Sequence, residues 1–408
     1  MYLANEKLRQ IALNMCRSRV YLNRYFRELK LKSAARTGMK CLPKSKIPNA
    51  KGVVLHDCHA EIVAIRTFNR FLLDECALLA QDSLATSLFV ERRSVDQVDE
   101  ESPQPFTIKD NVSIHMYCSE APCGDVSMEL VMQAQEDATP WEVRPLPQEH
   151  SEGVSNNSAA EMKGRGNFSE LGIVRRKPGK FNPSCRRKNS HKSLARSDAP
   201  LSLSKSCSDK LVLKFCISVL NSAASLLLTP DQAYIKTLVF PASQYIPDAT
   251  VRAFSQAGRM HALTTEVTAS WPKRFSVQAP DIVTTDLEFS FSKRSSSDEQ
   301  KIKPSNVTAV YTPHFQETLI GGILQGRKQG DPQAASAIAR KSMWRAFVDV
   351  AEVLGSPVLL RSTCQPSYGE FKANRALEAR RRVSNEVKEH TLQGWIPNVG
   401  DEDFSLDK

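Results

Sequence analysis

Three residues of the kind that bind metals each stand at or just before the start of a predicted helix. This arrangement restricts the possible folds more than any other feature of the sequence. His59 lies in HDCHAEIVAIR, Cys123 in APCGD and Cys207 in SKSCSDK. The N-terminus of a helix lowers the pKa of a nearby thiol and favours the thiolate that binds metal. Three such helix starts can converge on one point at the edge of a sheet.

Strand-like and helix-like segments alternate along the chain, which favours an α/β fold with helices packed on a sheet. An apolar stripe with helical spacing runs from Ala60 to Leu79. The segments typical of strands are SIHMYCS (113–119), AYIKTLVFP (233–241), AVYT and ETLIGGIL. The segments that predict further helices are VSMELVMQAQ (126–135), CSDKLVLKFCISVLNSAASLLL (207–228), AASAIARKSMWRAFVDVAEVLG and FKANRALEARRRVSNEVKEHTLQGW.

The balance of charge is basic, with 55 Lys+Arg against 45 Asp+Glu and a formal net charge of +10 over 408 residues. Such a balance is typical of proteins with a polyanionic partner, most often nucleic acid, although basic proteins without one share it. We divide the chain into a basic N-terminal segment, 1–36, and one domain, 37–408. Two polar tracts, at about 142–200 and 290–306, interrupt that domain.

The sequence predicts an intracellular protein of the nucleus or cytoplasm, or both. Its N-terminus is charged and lacks the apolar core of a signal peptide, and no run of 18 apolar residues predicts a membrane span. We expect no membrane association and no obligate protein partner. The ten cysteines are spread thinly and form no short-range disulfide pattern. In a reducing compartment, cysteines with polar neighbours are candidate metal or catalytic residues.

His59 and Glu61 form an H-x-E pair, which alone also fits a polar helix entry capped by Asp57. Zinc deaminases carry H-x-E followed by P-C-x-x-C. Here P-C is present at Cys123, but position 126 is Val.

A catalytic zinc takes three protein ligands and keeps one open position. We therefore predict His59, Cys123 and Cys207 as the ligands. Among the other cysteines, which we interpret as small core or surface residues, Cys118 stays open as a candidate because it lies close to Cys123.

These motifs together resemble the RNA adenosine deaminases. The resemblance rests on HDCHAEI, MYCSEAPCGD, LSLSKSCSDKL and SYGEFK, with support from TGMKCLP, LGIVRRKPG and GILQGRK. It fits best the eukaryotic tRNA-specific branch, which deaminates the adenosine 3′ of the anticodon in alanine tRNA. The resemblance implies a cytidine-deaminase-like mixed sheet flanked by helices, with a C-terminal helical part that encloses a polyanion.

The resemblance also implies a chemistry for the predicted site. Zinc held by His59, Cys123 and Cys207 would acidify water. Glu61 would pass the water proton to N1 of adenine, and the product would be inosine. Because a stacked adenine hides its reactive carbon, the target must lie in a loop or be flipped out, and an anticodon loop meets that need.

Four basic residues are candidate RNA contacts. Lys40 matches a lysine that contacts the RNA backbone in the family. Arg175, Arg176 and Lys177 form a basic run that could bind phosphates, although the same run fits a solvated loop.

The polyanion implied by the family is inositol hexakisphosphate. Buried cations repel one another unless an anion neutralises them. We expect Lys210 to link this polyanion to the metal site through Ser208 and Asp209. A leucine, Leu213, stands where the family has an arginine, and Lys214 is a possible substitute. The matching lining residues are Arg66, Lys210, Ser222, Lys341 (or Arg340), Tyr368, Lys372 and Trp395.

The sequence differs from the family pattern near its N-terminus, where RVYLNRYFRELKLKSAA replaces an apolar strand of the family. It favours a second hypothesis, a catalytically weak or inactive RNA-binding protein with a deaminase fold, although Glu61 has no use in a scaffold. A deaminase of free nucleosides or a pteridine-like substrate is disfavoured by the net charge. A structural zinc site is disfavoured because three ligands, rather than four, are present.

Overall fold

The computed structural model describes residues 40–99, 102–134, 160–161, 171–178, 201–289, 292, 294 and 306–406. The predicted N-terminal segment, 1–36, and most of both polar tracts lie outside the described residues. The strands are β1 Val90–Arg92, β2 Phe106–Ile108, β3 Ile114–Tyr117, β4 Ala160–Glu161, β5 Arg175–Pro178, β6 Leu201–Lys205, β7 Ile235–Pro241, β8 Asp281–Thr285, β9 Val307–Tyr311, β10 Gln316–Ile320 and β11 Ile323–Leu324.

Helices and strands are mixed along the chain, as expected for an α/β fold, although the strands come in runs and the last four α-helices follow one another. Short 3-10 turns, including Lys44–Asn49 and Asp125–Ser127, join several elements. The α-helices are α1 Ala60–Gln81, α2 Met128–Gln133, α3 Cys207–Ile217, α4 Ser222–Leu227, α5 Pro247–Phe254, α6 Thr265–Thr268, α7 Arg340–Leu354, α8 Pro357–Thr363, α9 Tyr368–Ala373 and α10 Glu378–His390.

A parallel sheet in the order β3-β7-β8 positions the site. Its middle strand, β7, is buried at six of its seven positions, which is typical of a strand covered on both faces. Because the strands are parallel, their carboxyl ends share one edge, and β3 runs directly into 118–124 there. The other described sheets are an antiparallel β1–β2 pair, antiparallel β9-β10-β11, and β4-β5-β6 with β5 antiparallel to β6.

Helix α1 carries the core. Its apolar stripe, including Phe68, Leu72 and Cys76, is buried against α7, α4 and the strand β9. One polar residue within the stripe, Asn69, is fully buried and satisfied. Its amide donates to the carbonyls of Ile65 and Val219, and its oxygen accepts the N–H of Asn221. Asn69 thereby fixes α1 against the connection between α3 and α4.

The predicted single helix over 207–228 is two helices. Ser218 has a left-handed backbone (φ 64°) that ends the helical path, and Asn221 caps α4 by accepting the N–H of Ala224. By length and hydropathy alone, Cys207–Leu227 is apolar enough to cross a membrane. In this fold 67% of the window is buried inside the protein, and buried core helices pass the same test.

Candidate metal centre and basic cluster

His59, Cys123 and Cys207 meet at the carboxyl edge of the parallel sheet. Their ligand atoms all lie within 4.8 Å of one another, and Nδ1 of His59 is 3.5 Å from Sγ of Cys123. A tetrahedral ion with bonds of about 2.0–2.3 Å holds its ligands about 3.5–3.8 Å apart. The three side chains therefore form a group that could hold a metal ion, as the sequence predicts.

The two cysteines come from segments more than eighty residues apart, and the backbone brings them together. The N–H of Cys207 points at Sγ of Cys123 at 3.3 Å, and the N–H of Ser208 donates to the carbonyl of Cys123 at 3.0 Å. Gly124 makes this approach possible. It has φ +104°, and a Cβ there would lie 2.3 Å from Oγ of Ser206. Ser206 in turn caps α3 by accepting the N–H of Asp209.

The charges of the site favour the thiolate of Cys123 and the protonated form of His59. Burial raises the pKa of the Cys123 thiol, but a hydrogen bond with Cys207 and the cations Lys177 and His59 outweigh it and hold the pKa well below its usual value. Burial raises the pKa of Cys207, and the neighbouring Cys123 raises it further. Burial and Lys177 lower the pKa of His59, but Cys123 and Asp57 outweigh them and raise it to about 10. A cation between the two thiols would relieve their repulsion.

Glu61 stands beside this group without belonging to it. It lies in the first turn of α1, two residues after His59, and its side chain is buried. Oε2 of Glu61 accepts a hydrogen bond from Sγ of Cys207 at 3.2 Å. A carboxylate at this distance from the ligand atoms can exchange a proton with a molecule bound at the fourth position of the ion. Cys118, the open candidate, lies in neither of the two potential metal groups among the described residues.

Asp57 is the buried anion that organises the cations beneath the site. Its Oδ1 accepts the N–H of His59 at 3.0 Å, which forms a local turn just before α1. The same carboxylate also binds residues from other segments. Its Oδ2 accepts from Nζ of Lys177 at 2.7 Å, from Oγ of Ser204 at 2.8 Å and from Nζ of Lys210. Lys177 also contacts Sγ of Cys207 at 3.1 Å. Burial would raise the pKa of Asp57, but the two lysines hold it well below its usual range.

The contacts of Lys210 differ from the expected path through Ser208 and Asp209. Lys210 contacts Asp57 and Ser204, and the link from Lys210 to the metal site therefore runs through Asp57 and Lys177, whereas Ser208 and Asp209 face other partners. Asp209 accepts from the backbone N–H of Arg175 and from the guanidinium of Arg259, and Ser208 donates to backbone carbonyls.

The basic run at 175–177 is neither a solvated loop nor, for the side chains of Arg175 and Lys177, a surface. Both are buried, at 1% and 2% exposure, because β5 pairs with β6 in the interior. The backbone of Arg176 lies in the same strand, and its side chain is outside what the structure describes. Lys40 is partly exposed, and its carbonyl accepts the N–H of Cys58 next to the metal site.

Similarity to known proteins agrees with this site. The adenosine-deaminase (editase) domain family matches residues 34–399. The chain belongs to this family. It is 34% identical over 90% of its length to tRNA-specific adenosine deaminase 1 of Schizosaccharomyces pombe, and the match covers 82% of that protein. A protein of the same name from Saccharomyces cerevisiae is 31% identical over 50% of this chain and 44% of its own length. One from Drosophila melanogaster is 26% identical over 77% and 70%.

A second group of charges in this editase-family domain consists mainly of cations, and Asp401 pairs with one of them, Arg340. We call it the basic cluster, and its members are Arg66, Lys214, Arg340, Lys372, Arg380 and Lys388. Burial lowers the pKa of both Arg66 and Arg380 to about 10, and Arg340 adds to the effect on Arg66. Burial lowers the pKa of Lys214 well below its usual value, and Arg380 and Arg66 lower it further.

Several members of the basic cluster lie close enough for the charge of one to lower the pKa of another. Protein surrounds Arg66, Lys214 and Arg380 on all sides, yet each keeps some accessible surface. Nε of Arg380 is buried and has no hydrogen-bond partner among the described atoms. Lys372 lies at the exposed edge, with its pKa lowered by desolvation and then by Arg340. The cluster therefore fits a multiply charged anion, which would supply the missing acceptors.

Some of the residues predicted to line the polyanion site belong to the basic cluster, and others lie elsewhere. Arg340, the alternative to Lys341, lies 5.9 Å over the ring of Tyr368 and pairs with Asp401 at 3.1 Å. Lys341 instead lines a separate cleft. The ring of Trp395 lies against the ammonium of Lys205, 4.9 Å away, and that of Lys388.

Ser222 begins α4, two residues after the carbonyl of Leu220, which accepts from both Lys214 and Arg380. Among these residues, Lys205 and Lys388 were not predicted. Lysines are rarely found inside a domain, and nothing in the local sequence marks these two as exceptions.

Proposed function

We propose that this protein is a zinc-dependent adenosine deaminase that acts on tRNA. One observation carries the proposal: His59, Cys123 and Cys207 lie within 4.8 Å of one another, with the Glu61 carboxylate 3.2 Å from Sγ of Cys207. One imidazole and two thiolates suit zinc, and three ligands leave a position for water. The relatives named as tRNA-specific adenosine deaminases support tRNA as the substrate.

The reaction assigned to the site is the addition of water to adenosine with loss of ammonia, which gives inosine. Zinc at this position would lower the pKa of water toward neutrality. Glu61 takes the proton from the water and delivers it to N1 of adenine, while the water oxygen bonds to C6. Glu61 then takes the second proton of the water from the oxygen on C6 and passes it to the amino group. The C6–N bond breaks, ammonia leaves and the C6=O bond of inosine forms. Asp57 and Lys177 position His59 and Cys207 for this role, as outer partners of metal ligands commonly do.

We further propose that the target is the adenosine 3′ of the anticodon in alanine tRNA. An anticodon loop presents unpaired bases, so that only a small cost of unstacking remains. Lys40, partly exposed beside the metal site, is the proposed contact to the RNA backbone at this position. Because Arg175 and Lys177 are buried, the surface around the site must supply the other phosphate contacts.

For the basic cluster we propose inositol hexakisphosphate as a bound structural polyanion. The buried cations Arg66, Lys214 and Arg380, whose pKa values are lowered by burial, and the unpartnered Nε of Arg380 support it. The test is an acid extract of the purified protein, analysed by mass spectrometry. Recovery of about one molecule per chain is expected, and an extract without any inositol phosphate would contradict the proposal.

The main experiment uses the wild-type protein and Glu61→Ala, with the zinc content of both measured first. Each is incubated with an unmodified alanine tRNA transcript, which is then sequenced for A-to-G changes. A transcript with guanosine at the target position serves as the control. Conversion by the wild type alone is expected.

If zinc is bound and no position changes, the deaminase proposal fails and the RNA-binding scaffold becomes the better hypothesis. The unbridged thiols of Cys41, Cys123 and Cys207 suit a reducing location, and we propose the nucleus or cytoplasm, or both.

A further inference from the structure

We propose that the segment 42–55, here called the lysine loop, contacts the phosphates of the tRNA that flank the target adenosine. The inference rests on the proposed function, since it names how the same site holds its substrate. The residues that would make the contacts are Lys44, Lys46 and Lys51, all of them exposed.

The base of the lysine loop is joined to the segment that carries the metal ligand. Cys41 pairs with Asp57 in an antiparallel bridge, and the N–H of Leu42 donates to the carbonyl of His56 at 2.9 Å. On the other side, the N–H of Cys58 donates to the carbonyl of Lys40 at 3.2 Å. The loop therefore rises from the rim of the site, and an RNA whose adenosine enters the site must pass beside it.

The loop has its own apolar interior, which holds it in one shape. Ile47 and Ala50 are 2% and 1% exposed, and Val53 and Val54 pack on Ile323. The backbone N–H of Gly52 donates to Oδ1 of Asp401 at 2.8 Å. Because the apolar side chains point inward, the three lysines point outward from a fixed support. A preorganised support of this kind reduces the entropy lost on binding.

The charges of Lys44, Lys46 and Lys51 are not neutralised within the described part of the chain. None of them forms an ion pair with a described carboxylate, whereas exposed or half-buried arginines elsewhere do, such as Arg252 with Glu129 and Arg294 with Glu288. Exposed lysines are common on soluble proteins, so their number alone decides nothing. Their position on the rim of the site distinguishes these three.

A neighbouring turn adds further positive charge to the same rim. The N–H of Leu55 donates to the carbonyl of Gly322 at 2.9 Å, and a Cβ at Gly322 would lie 2.8 Å from the carbonyl oxygen of Leu55. This close contact places the segment after β11 next to the loop. Lys328 is exposed there, and Arg327 pairs with Asp331 at 3.5 Å.

A cleft of about 450 Å³ lies beside the loop, lined by Lys51, Gly330 and Lys341 among others. Asp403 also lines it, and the expected phosphate contacts therefore centre on the loop rather than on the cleft floor.

The chemistry of this surface fits a phosphodiester backbone. Lysine ammonium groups act as mobile point charges that bind phosphates without reading a base sequence. Each phosphate that a cation neutralises releases counterions, so binding of this type weakens with salt in proportion to the number of contacts. The lysine loop would thus position the tRNA, while the site selects the base.

The experiment compares the full-length protein with two triple variants of equal charge. The loop variant is Lys44→Ala, Lys46→Ala and Lys51→Asn, since Asn tolerates the left-handed backbone of Lys51 (φ 45°). The control variant is Lys109→Ala, Lys236→Ala and Lys273→Ala. Lys236 lies near the start of β7, at the edge of the sheet opposite the metal site. Binding of alanine tRNA is measured at several KCl concentrations, and deamination by the wild type is measured in parallel.

The loop variant should bind tRNA about ten-fold or more weakly near 0.1 M KCl, with a salt slope smaller by about two, while the control variant follows the wild type. Equal zinc content and equal melting temperatures would show that all three chains fold. If the loop and control variants bind alike, the inference is overturned. A wild type that binds tRNA without deaminating it would instead contradict the proposed function, and the salt slopes would still decide the inference.

Discussion

The metal centre and the basic cluster are both buried groups of charges, but they differ in how their cations are balanced: in the basic cluster the described ion pair is that of Arg340 with Asp401. Around Asp57, two lysines, a serine and a backbone N–H surround one carboxylate, and two thiols lie alongside. In the basic cluster, burial lowers the pKa of Arg66, Lys214 and Arg380, and the charges of Arg380 and Arg66 lower the pKa of Lys214 further. The first group is complete apart from a cation. The second requires an anion from outside.

The difference between the two groups shows how a protein tolerates a buried charge. A paired charge recovers its desolvation cost from its partner, whereas an unpaired one destabilises the fold or changes its protonation. The two groups should therefore respond in opposite ways to the loss of a side chain. Removing a charge from the paired group should destabilise the protein, and removing one from the basic cluster should stabilise the protein when the polyanion is absent.

The largest effect is expected for Cys207→Ser. It removes one of three ligands, so zinc binding should fall below detection and deamination of tRNA should drop by at least about a thousand-fold. Zinc is measured by mass spectrometry and inosine by sequencing. Cys364→Ser, at an exposed thiol, is the matched control and should behave as the wild type. Full zinc occupancy in Cys207→Ser would contradict the assignment of this ligand.

Asp57→Asn tests whether the paired group depends on its anion. Lys177 would remain buried without a countercharge, and the free energy of unfolding should fall by about 3–5 kcal/mol. Chemical denaturation measures this. Adding Lys177→Met to Asp57→Asn should recover part of the loss. Asp231→Asn, which breaks only a long exposed pair with Arg274, should change little. An equal loss in both single variants would remove the distinction between paired and exposed charges.

A pH series tests the basic cluster. The folded-state pKa of Lys214 lies below its unfolded value near 10.5, so the unfolded chain binds a proton that the folded chain releases. In protein refolded without inositol hexakisphosphate, the free energy of unfolding should therefore rise as the pH increases toward 10.5. The polyanion should abolish this rise by restoring the charged form.

Melting temperatures between about pH 7 and 9.5, measured with and without the polyanion, test this expectation. Lys214→Met should reduce the rise in stability, and Lys236→Met should leave it as in the wild type. The same pH dependence with and without the polyanion would show that the cluster does not hold it.

The smallest effect is expected at Arg294, which joins Glu120 and Glu288 at the surface. Solvent screens these pairs, and Arg294→Ala should lower the free energy of unfolding by less than about 1 kcal/mol. Denaturation in low and high salt measures this difference and sets the scale for the buried groups. A loss as large as that of Asp57→Asn would mean that burial does not separate the two classes of ion pair.

Much of the fold could be predicted from the sequence because its elements have strong patterns. The stripe of α1, the apolar run of β7 and the segment of β3 appear where periodicity places them. The break at Ser218 could not be foreseen, because the residues on both sides are apolar and only the backbone at Ser218 ends the helix. Strands as short as β1 and β2 carry too little pattern to be detected alone.

The site shows a similar division. That His59, Cys123 and Cys207 lie together beside Glu61 could be predicted because metal chemistry restricts the residue types that serve. The partnership of Asp57 with Lys177 could not, since 120 residues separate them and nothing local marks Lys177 as buried. For the same reason a basic run suggested a surface, and β5 placed it inside.

The contact between Cys123 and Cys207 has a consequence for how such chains diverge. The two cysteines are held together by backbone bonds from Cys207 and Ser208, with Gly124 allowing the approach. From the stretch between them, the described strand β5 contacts the site through Arg175 and Lys177, whereas the bonds between the two cysteines do not involve the rest of that stretch. Lengthening that stretch costs only about 0.6 kcal/mol for each doubling. Insertions can therefore accumulate between the second and third ligands while the chemistry persists. Searches for distant relatives should then fix PCG and SCSDK as anchors and leave the spacing between them unrestricted.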